Sequence, residues 1–268
     1  MTEIKRALIV GVSEYEKLPS LKSCETDAAD MYKSLLGAGF EAANIRLIVE
    51  DIGHLAELKD PPTAEKPTIG NIKDAVTALK DDAGPDDSVV LFFSGHGIND
   101  GSDYLCPSGT RKDDLSGTAI PLKFVLEELD ACQSDKINVL LDACRNELDQ
   151  IASKSGAQEV RGLGDKSLIE GLQARQDLAT LFSCRPGEKS YVIPGGEKGH
   201  GAFTEAVVRA IRDPELTTLR ELADFAVVEV KAANDQFGTD RRQRPQLVTN
   251  DESQAADRNL YGDCLLYT

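Results

Sequence analysis

The chain's 268 residues are 41% hydrophobic and 28% charged, the balance of a folded globular protein with room for a sizeable core. A formal net charge of −16 argues against the clustered positive surface that nucleic acid or an anionic membrane requires, and suits a basic peptide ligand, the plainer reading being solubility. The N-terminal apolar run, Ala7 to Val12, is too short for a signal peptide and no segment reaches transmembrane length, so a cytosolic protein is expected.

"RALIVGV" (6–12) is a continuous apolar run, as a strand buried on both faces requires. Ser23 is the expected cap of a helix over "ETDAADMYKSLLGAG", closing at Gly37 or Gly39. "NIRLIVE" (44–50) reads as a strand, the proline-rich segment after it as a loop, and "TIGNIKDAVTALKDD" as a capped amphipathic helix. The strand "SVVLFFS" (88–94) follows a G-P-D-D turn signal. A looser segment (100–119), a helix from about Pro121 to Cys132 and the strand "INVLLDA" (137–143) come next. Residues 145–171 lack periodicity and read as a long exposed loop. "LATLFSC" (178–184) is a further strand, "SYVIPGGEKGHGAF" a hairpin, "FTEAVVRAIRD" and "TTLRELADFAVVEVKAAN" helices, and "RPQLVTN" an edge strand.

Strands alternating with helices imply an α/β fold, a mostly parallel sheet with helices on both faces. In such sheets function gathers at the carboxyl ends of the strands. Two residues stand there: His96, one of three histidines with His54 and His200, and Cys144. An imidazole beside a thiol can take its proton and later return it to a leaving amine. An oxyanion needs unobstructed backbone N–H groups, and those of Gly97 and Cys144 are the candidates. The glycines flanking His96 allow a tight turn and close approach of substrate. Taken singly, each feature has a plainer reading: a cysteine ending a buried strand is packing, and S-G-H-G is a turn.

The six cysteines (24, 106, 132, 144, 184, 264) have irregular spacings without a C-x-x-C pair, which argues against zinc and for reduced thiols. "GVSEYEK" after the first strand has no phosphate-cradling glycine pattern, so a nucleotide-binding domain is disfavoured.

"FFSGHG" and "LLDACRNE" resemble the two catalytic motifs of the caspase-like cysteine peptidases, a clan that includes caspases and metacaspases. The separation of His96 and Cys144, 144 − 96 = 48 residues, is close to the roughly 50 of caspases. "ALIVGVSEYEKLPSLKSCETDA" and "TLFSCRPGEKSY…GHGAFTEAVVRAI" extend the likeness over about residues 4 to 250. The resemblance implies a three-layer sandwich in one peptidase domain. Residues 1–144 would be large-subunit-like, 145–175 a linker or processing loop, 176–250 small-subunit-like and 251–268 a tail. It also implies a dyad, with His96 as general base and acid, Cys144 as nucleophile, and the Gly97 and Cys144 amides as oxyanion hole.

The resemblance is to metacaspases in particular. Asp142 stands two residues before the cysteine, where caspases carry Gln-Ala before it, and alternate strand residues face one side. "SCETD" places Cys24 and Asp27 like the C-x-x-D of the metacaspase acidic pocket, and Ser94 matches its fourth member. Two carboxylates in a slot would reject Asp and attract Arg or Lys, so protein or peptide substrates cut after Arg or Lys are expected. For Asp27 the plainer reading is a first-turn carboxylate favoured by the helix dipole.

The chain departs from the family at the calcium site. Pro121 and Leu122 stand where many metacaspases have consecutive aspartates, and Asp113 and Asp114 nearby read as solvated charge. No cofactor and no required calcium ion are therefore expected. In 145–171, Arg145, Lys154, Arg161 and Lys166 are possible self-cleavage sites. Arg161 in "EVRGLGD" is preferred, the alternative being an arginine that anchors the loop. His200 has no identifiable acidic orienter and reads as turn chemistry more than as substrate rim. Cys184 is a fallback nucleophile without a placed histidine. A monomer is favoured over a dimer. A catalytically silent caspase-like adaptor is the competing function, and the intact His96 and Cys144 count against it.

Overall fold

The structure, a computed structural model, describes residues 3–143, 146–147, 171, 177–193, 199–237, 242–250 and 254–261. Its main sheet has seven strands in the order β13-β10-β8-β4-β1-β2-β3. These are β1 (Lys5–Gly11), β2 (Ile45–Ile48), β3 (Ala64–Glu65), β4 (Ser88–Gly95), β8 (Lys136–Ala143), β10 (Leu178–Phe182) and β13 (Gln246–Val248). All pairs are parallel except β13 on β10.

Alternation along the strands divides the interior in two. Ile9, Phe92 and Leu140 face helices α1 (Cys24–Gly37), α5 (Ala202–Ile211) and α6 (Leu219–Phe237), packing with Tyr32, Phe203 and Leu222. Their neighbours Leu8, Phe93 and Leu141 face α2 (Ile69–Asp82) and α4 (Leu122–Asp130), packing with Val76 and Val125. Burial on both faces explains why these strands read as unbroken apolar runs. The result is the expected α/β three-layer sandwich, with a mostly parallel sheet between helical layers.

Three local expectations change. Ser23 precedes α1 but its side chain does not cap it; Ser13 Oγ accepts the Glu25 N–H at 3.2 Å instead. Ser23 has helical dihedrals and its hydroxyl bonds the Asp27 carboxylate. The proline-rich loop carries the two-residue edge strand β3, held where Arg46 meets Glu65 at 2.6 Å. The looser segment after His96 is an ordered small sheet of order β7-β6-β5-β9. It comprises β5 (Gly97–Asn99), β6 (Asp103–Leu105), β7 (Ile120–Pro121) and β9 (Asn146–Glu147), with the four-residue helix α3 (Leu115–Thr118) between β6 and β7. The hairpin β11 (Val192–Ile193) and β12 (His200–Gly201) forms as expected. So do the Thr68 cap of α2, which accepts Asn71 N–H at 3.2 Å, and the edge strand β13.

β4 lies at the centre of the main sheet between β1 and β8. Its register on β8 pairs Ser94 with Asp142 and Gly95 with Ala143. The chain after β1 and the chain after β4 therefore open on the same rim as the end of β8, beside the point where strand order reverses.

Candidate active site

Cys24, Asp27, Ser94, His96 and Asp142 line one cavity of about 100 Å³, walled on its far side by Ser190, Tyr191 and Gly201. Asp27 comes from the first turn of α1, Ser94 and Asp142 from adjacent strands, and Gly201 from the entry to α5. Asp27 is 1% exposed and Asp142 6% exposed, so both carboxylates have left water. Each is compensated by donors. Asp27 accepts Ser94 Oγ–H at 3.1 Å and Gly201 N–H at 3.0 Å. Asp142 accepts Ser190 Oγ–H at 2.5 Å and Thr204 Oγ1–H at 2.6 Å. Gly201 fits tightly between them: a Cβ there would lie 2.5 Å from Asp142 Oδ2 and 3.2 Å from Asp27 Oδ2.

Burial pushes the Asp27 carboxyl well above the ordinary carboxylate range, and the neighbouring Asp142 charge pushes it further. Burial raises Asp142 as well, against the hydroxyl donors of Ser190 and Thr204. Two like charges in one dry slot resist simultaneous ionisation, so each carboxylate makes the other harder to ionise.

His96 follows β4 with its ring stacked obliquely on Tyr15, centroids 4.7 Å apart. The Tyr15 hydroxyl accepts the His96 backbone N–H at 2.8 Å. Gly95 makes room for this, since a Cβ there would lie 2.9 Å from Tyr15 Oη. The His96 ring donates through Nε2 to the Pro19 carbonyl at 2.8 Å. A carbonyl can only accept, so Nε2 carries the proton and Nδ1 is the basic nitrogen of the neutral ring. Burial lowers the His96 pKa below 6.5; the Pro19 carbonyl opposes that shift and the Lys112 charge adds to it. Tyr15 and Pro19 lie outside the sequence-derived set. Tyr15 sits four residues past β1 on the chain that forms the rim, but a backbone carbonyl carries no residue-type signal.

Gly97 opens β5 opposite Leu105. The bond from Cys106 N–H to the His96 carbonyl at 3.0 Å marks this as a non-hydrogen-bonded pair, which turns the Gly97 N–H away from β6. Cys144 directly follows Ala143, the last residue of β8, and lies outside the described residues, as do Arg145, Lys154, Arg161 and Lys166.

Cys184 is fully buried and its thiol meets the carbonyls of Ala143 at 3.6 Å and Glu188 at 3.4 Å, with no imidazole among these partners. His200 does have an acidic partner, contrary to expectation: its Nδ1 lies 3.1 Å from Asp30 Oδ2 across the α1 surface. Asp114 is not simply solvated either. Its side chain caps α3 by accepting Gly117 N–H at 3.1 Å and pairs with Arg111 at 3.1 Å, while Asp113 approaches the same arginine at 3.5 Å. No helix among the described residues is long and apolar enough to cross a membrane.

A family model described as Caspase domain matches residues 4–255. Metacaspase-3 of Arabidopsis thaliana is 27% identical over 279 residues, covering 92% of this chain and 73% of its own length. Metacaspase-2 of the same plant is 32% identical over 254 residues, covering 82% of this chain and 57% of its own length. Two further metacaspases align over only 24% and 20% of their own lengths, so the chain spans a minor part of several relatives. Among solved structures, Caspase-1 from Spodoptera frugiperda superposes with a TM-score of 0.61 at 13% identity, over 99% of this chain and 92% of that one. At that identity the likeness is one of fold. With the matched family model spanning the sheet, the histidine strand and the acidic cavity, the chain belongs to the caspase-domain family of cysteine peptidases and is of the metacaspase type.

Proposed function

We propose that the protein is a cysteine endopeptidase that cleaves protein substrates after Arg or Lys. The observation that carries this reading is the pair of buried carboxylates, Asp27 and Asp142, converging on the cavity that His96 also lines. A guanidinium or ammonium entering it would meet two acceptors and favour their ionised forms, whereas a substrate aspartate would add a further negative charge. Guanidinium fits such paired acceptors bidentately, which favours Arg over Lys.

Cys144 is the nucleophile and His96 its base. The in-register ends of β4 and β8 support this, because His96 and Cys144 are the residues that follow the paired Gly95 and Ala143. His96 Nδ1 takes the thiol proton, and the thiolate attacks the carbonyl carbon of the basic residue. The Gly97 and Cys144 amides receive the oxyanion. Collapse of the tetrahedral adduct expels the amine, which takes its proton from His96, and water then hydrolyses the acyl-enzyme with His96 as base. The Pro19 carbonyl keeps the ring in the orientation and tautomer that the proton relay needs.

The reaction runs without calcium. Asp113 and Asp114 face Arg111, and Asp114 spends a carboxylate oxygen on the α3 cap, so this pair does not offer a free oxygen cage. Self-cleavage follows Arg161 in the linker, and the enzyme acts as a cytosolic monomer in stress, immunity or regulated-death signalling. An electrophilic peptide carrying Arg at its reactive end should label Cys144 covalently, as read by mass spectrometry. Labelling elsewhere, or none, would refute the assignment and favour a silent adaptor. Treating the protein with calcium and with a chelator should leave the labelling rate equal.

A further inference from the structure

We infer that Gln243, in the segment leading into β13, is a positioning residue for the acidic specificity pocket, setting the direction of the Ser190 hydroxyl on Asp142. The inference rests on the reading of that pocket as the site for a basic side chain.

Gln243 is 2% exposed and lies 243 − 142 = 101 residues from Asp142 along the chain. Its carboxamide uses both ends. Oε1 accepts the Tyr191 N–H at 3.0 Å, and Nε2 donates to the Ser183 carbonyl at 3.2 Å and to Ser190 Oγ at 3.0 Å. A backbone N–H can only donate and a backbone carbonyl can only accept, so these two partners fix which end of the amide is which. The consequence falls on Ser190. Its oxygen accepts from Gln243, which leaves its single proton for Asp142 Oδ1 at 2.5 Å. The Ser190 hydroxyl is thus a one-way relay, donating to a carboxylate of the pocket because an amide donates to it.

The position of Gln243 is itself held from two sides. Its carbonyl accepts Asn234 Nδ2–H from α6 at 3.0 Å, and the next residue, Arg244, is anchored on Glu188 through Nε at 2.6 Å and its backbone N–H at 2.9 Å. Glu188 and Ser190 belong to the same loop, so Gln243 and its partner move as one unit. Without its amide donor, position 243 no longer directs the Ser190 proton toward Asp142, and Asp142 loses that orientation of its partner. Binding of the substrate cation weakens, while His96 keeps its geometry, because its hydrogen bonds run to Tyr15 and the Pro19 carbonyl and not to Ser190 or Gln243.

The test is steady-state hydrolysis of an Arg peptide by wild type, Gln243→Met, Ser190→Ala and the double variant, with thermal melting of each. Gln243→Met should raise KM roughly tenfold, the loss expected for an oriented bond to a carboxylate, with kcat changed far less. Because Gln243 acts through Ser190, the double variant should be no worse than Ser190→Ala alone. If Gln243→Met fails to fold, Gln243→Glu carries the same KM prediction: it keeps the acceptor for Tyr191 and loses the donor to Ser190. An unchanged KM, or losses that add in the double variant, overturns the assignment of Gln243 while leaving the pocket reading intact. A wild-type protein inert on Arg and Lys peptides but active on another class overturns both.

Discussion

Asp27 and Asp142 are each costly to bury as an anion, and on the proposed reading a substrate cation is the partner that their convergence favours. Their folded pKa values are raised above the unfolded value of about 3.9. Stability contributed by such a group is fully present below the unfolded pKa and is lost as pH rises through the folded one. Asp27→Asn cannot ionise, so its melting temperature relative to wild type should improve from pH 5 to pH 8. Its kcat/KM on Arg peptides should fall by about 100-fold or more, the loss of one member of a buried charge pair. A variant whose relative stability worsens with pH would contradict the carboxyl assignment. His96 titrates in the opposite sense: burial depresses its pKa, so the neutral base persists below pH 6.5. The acid limb of the kcat/KM profile should therefore lie below that value. The residue types at the rim were legible from the chain because carboxylates, a histidine and a cysteine ending apolar strands need a reason to be there. Tyr15 and the Pro19 carbonyl were not, since their roles depend on how the loop after β1 folds back over the ring.

The walls of the site come from elements at opposite ends of the sequence. α1 delivers Asp27, β8 delivers Asp142, and the β11–β12 hairpin closes the cavity with Gly201 between the two carboxylates. Gly201→Ala places a methyl group within 2.5 Å of Asp142 Oδ2. It should abolish binding of Arg peptides, measured as KM or as inhibitor affinity, with a modest melting change because the clash is confined to the pocket. Full retention of Arg affinity would show that the hairpin does not close this cavity. The main strands and helices were readable because they are long and periodic or continuously apolar. The small sheet was not: β5, β6 and β7 are three residues or fewer, too short for alternation to register. The Asp100-Gly101 pair between β5 and β6 was its available signal, a hairpin turn dipeptide. The Ser23 expectation failed because a serine before a helix can bond either a helix N–H or a nearby carboxylate, and here Asp27 takes the hydroxyl.

For the whole molecule, the net charge of −16 would steer the basic substrates that the proposed function implies. An acidic surface attracts basic segments at long range and salt shortens that reach, with a Debye length of about 10 Å at 0.1 M. Raising salt from 0.02 to 0.5 M should lower kcat/KM several-fold for peptides with additional basic residues, and leave peptides with neutral flanks nearly unaffected. Equal salt sensitivity in both would assign the effect to the pocket alone. The parallel sheet could be inferred because its central strands, β4, β8 and β10, are buried on both faces. The meeting of α1 and β8 in one pocket was expected from the family resemblance, but the hairpin as its third wall was not, because the contact between Gly201 and Asp27 spans 174 residues.

The most direct test of the central claim is a P1 peptide-library profile of wild type beside Cys144→Ala and Asp142→Asn. The account predicts cleavage after Arg, then Lys, with none after Asp. That activity should be absent in Cys144→Ala, and the basic preference should be lost in Asp142→Asn. Cleavage after Asp, activity surviving in Cys144→Ala, or an unchanged profile in Asp142→Asn would contradict it.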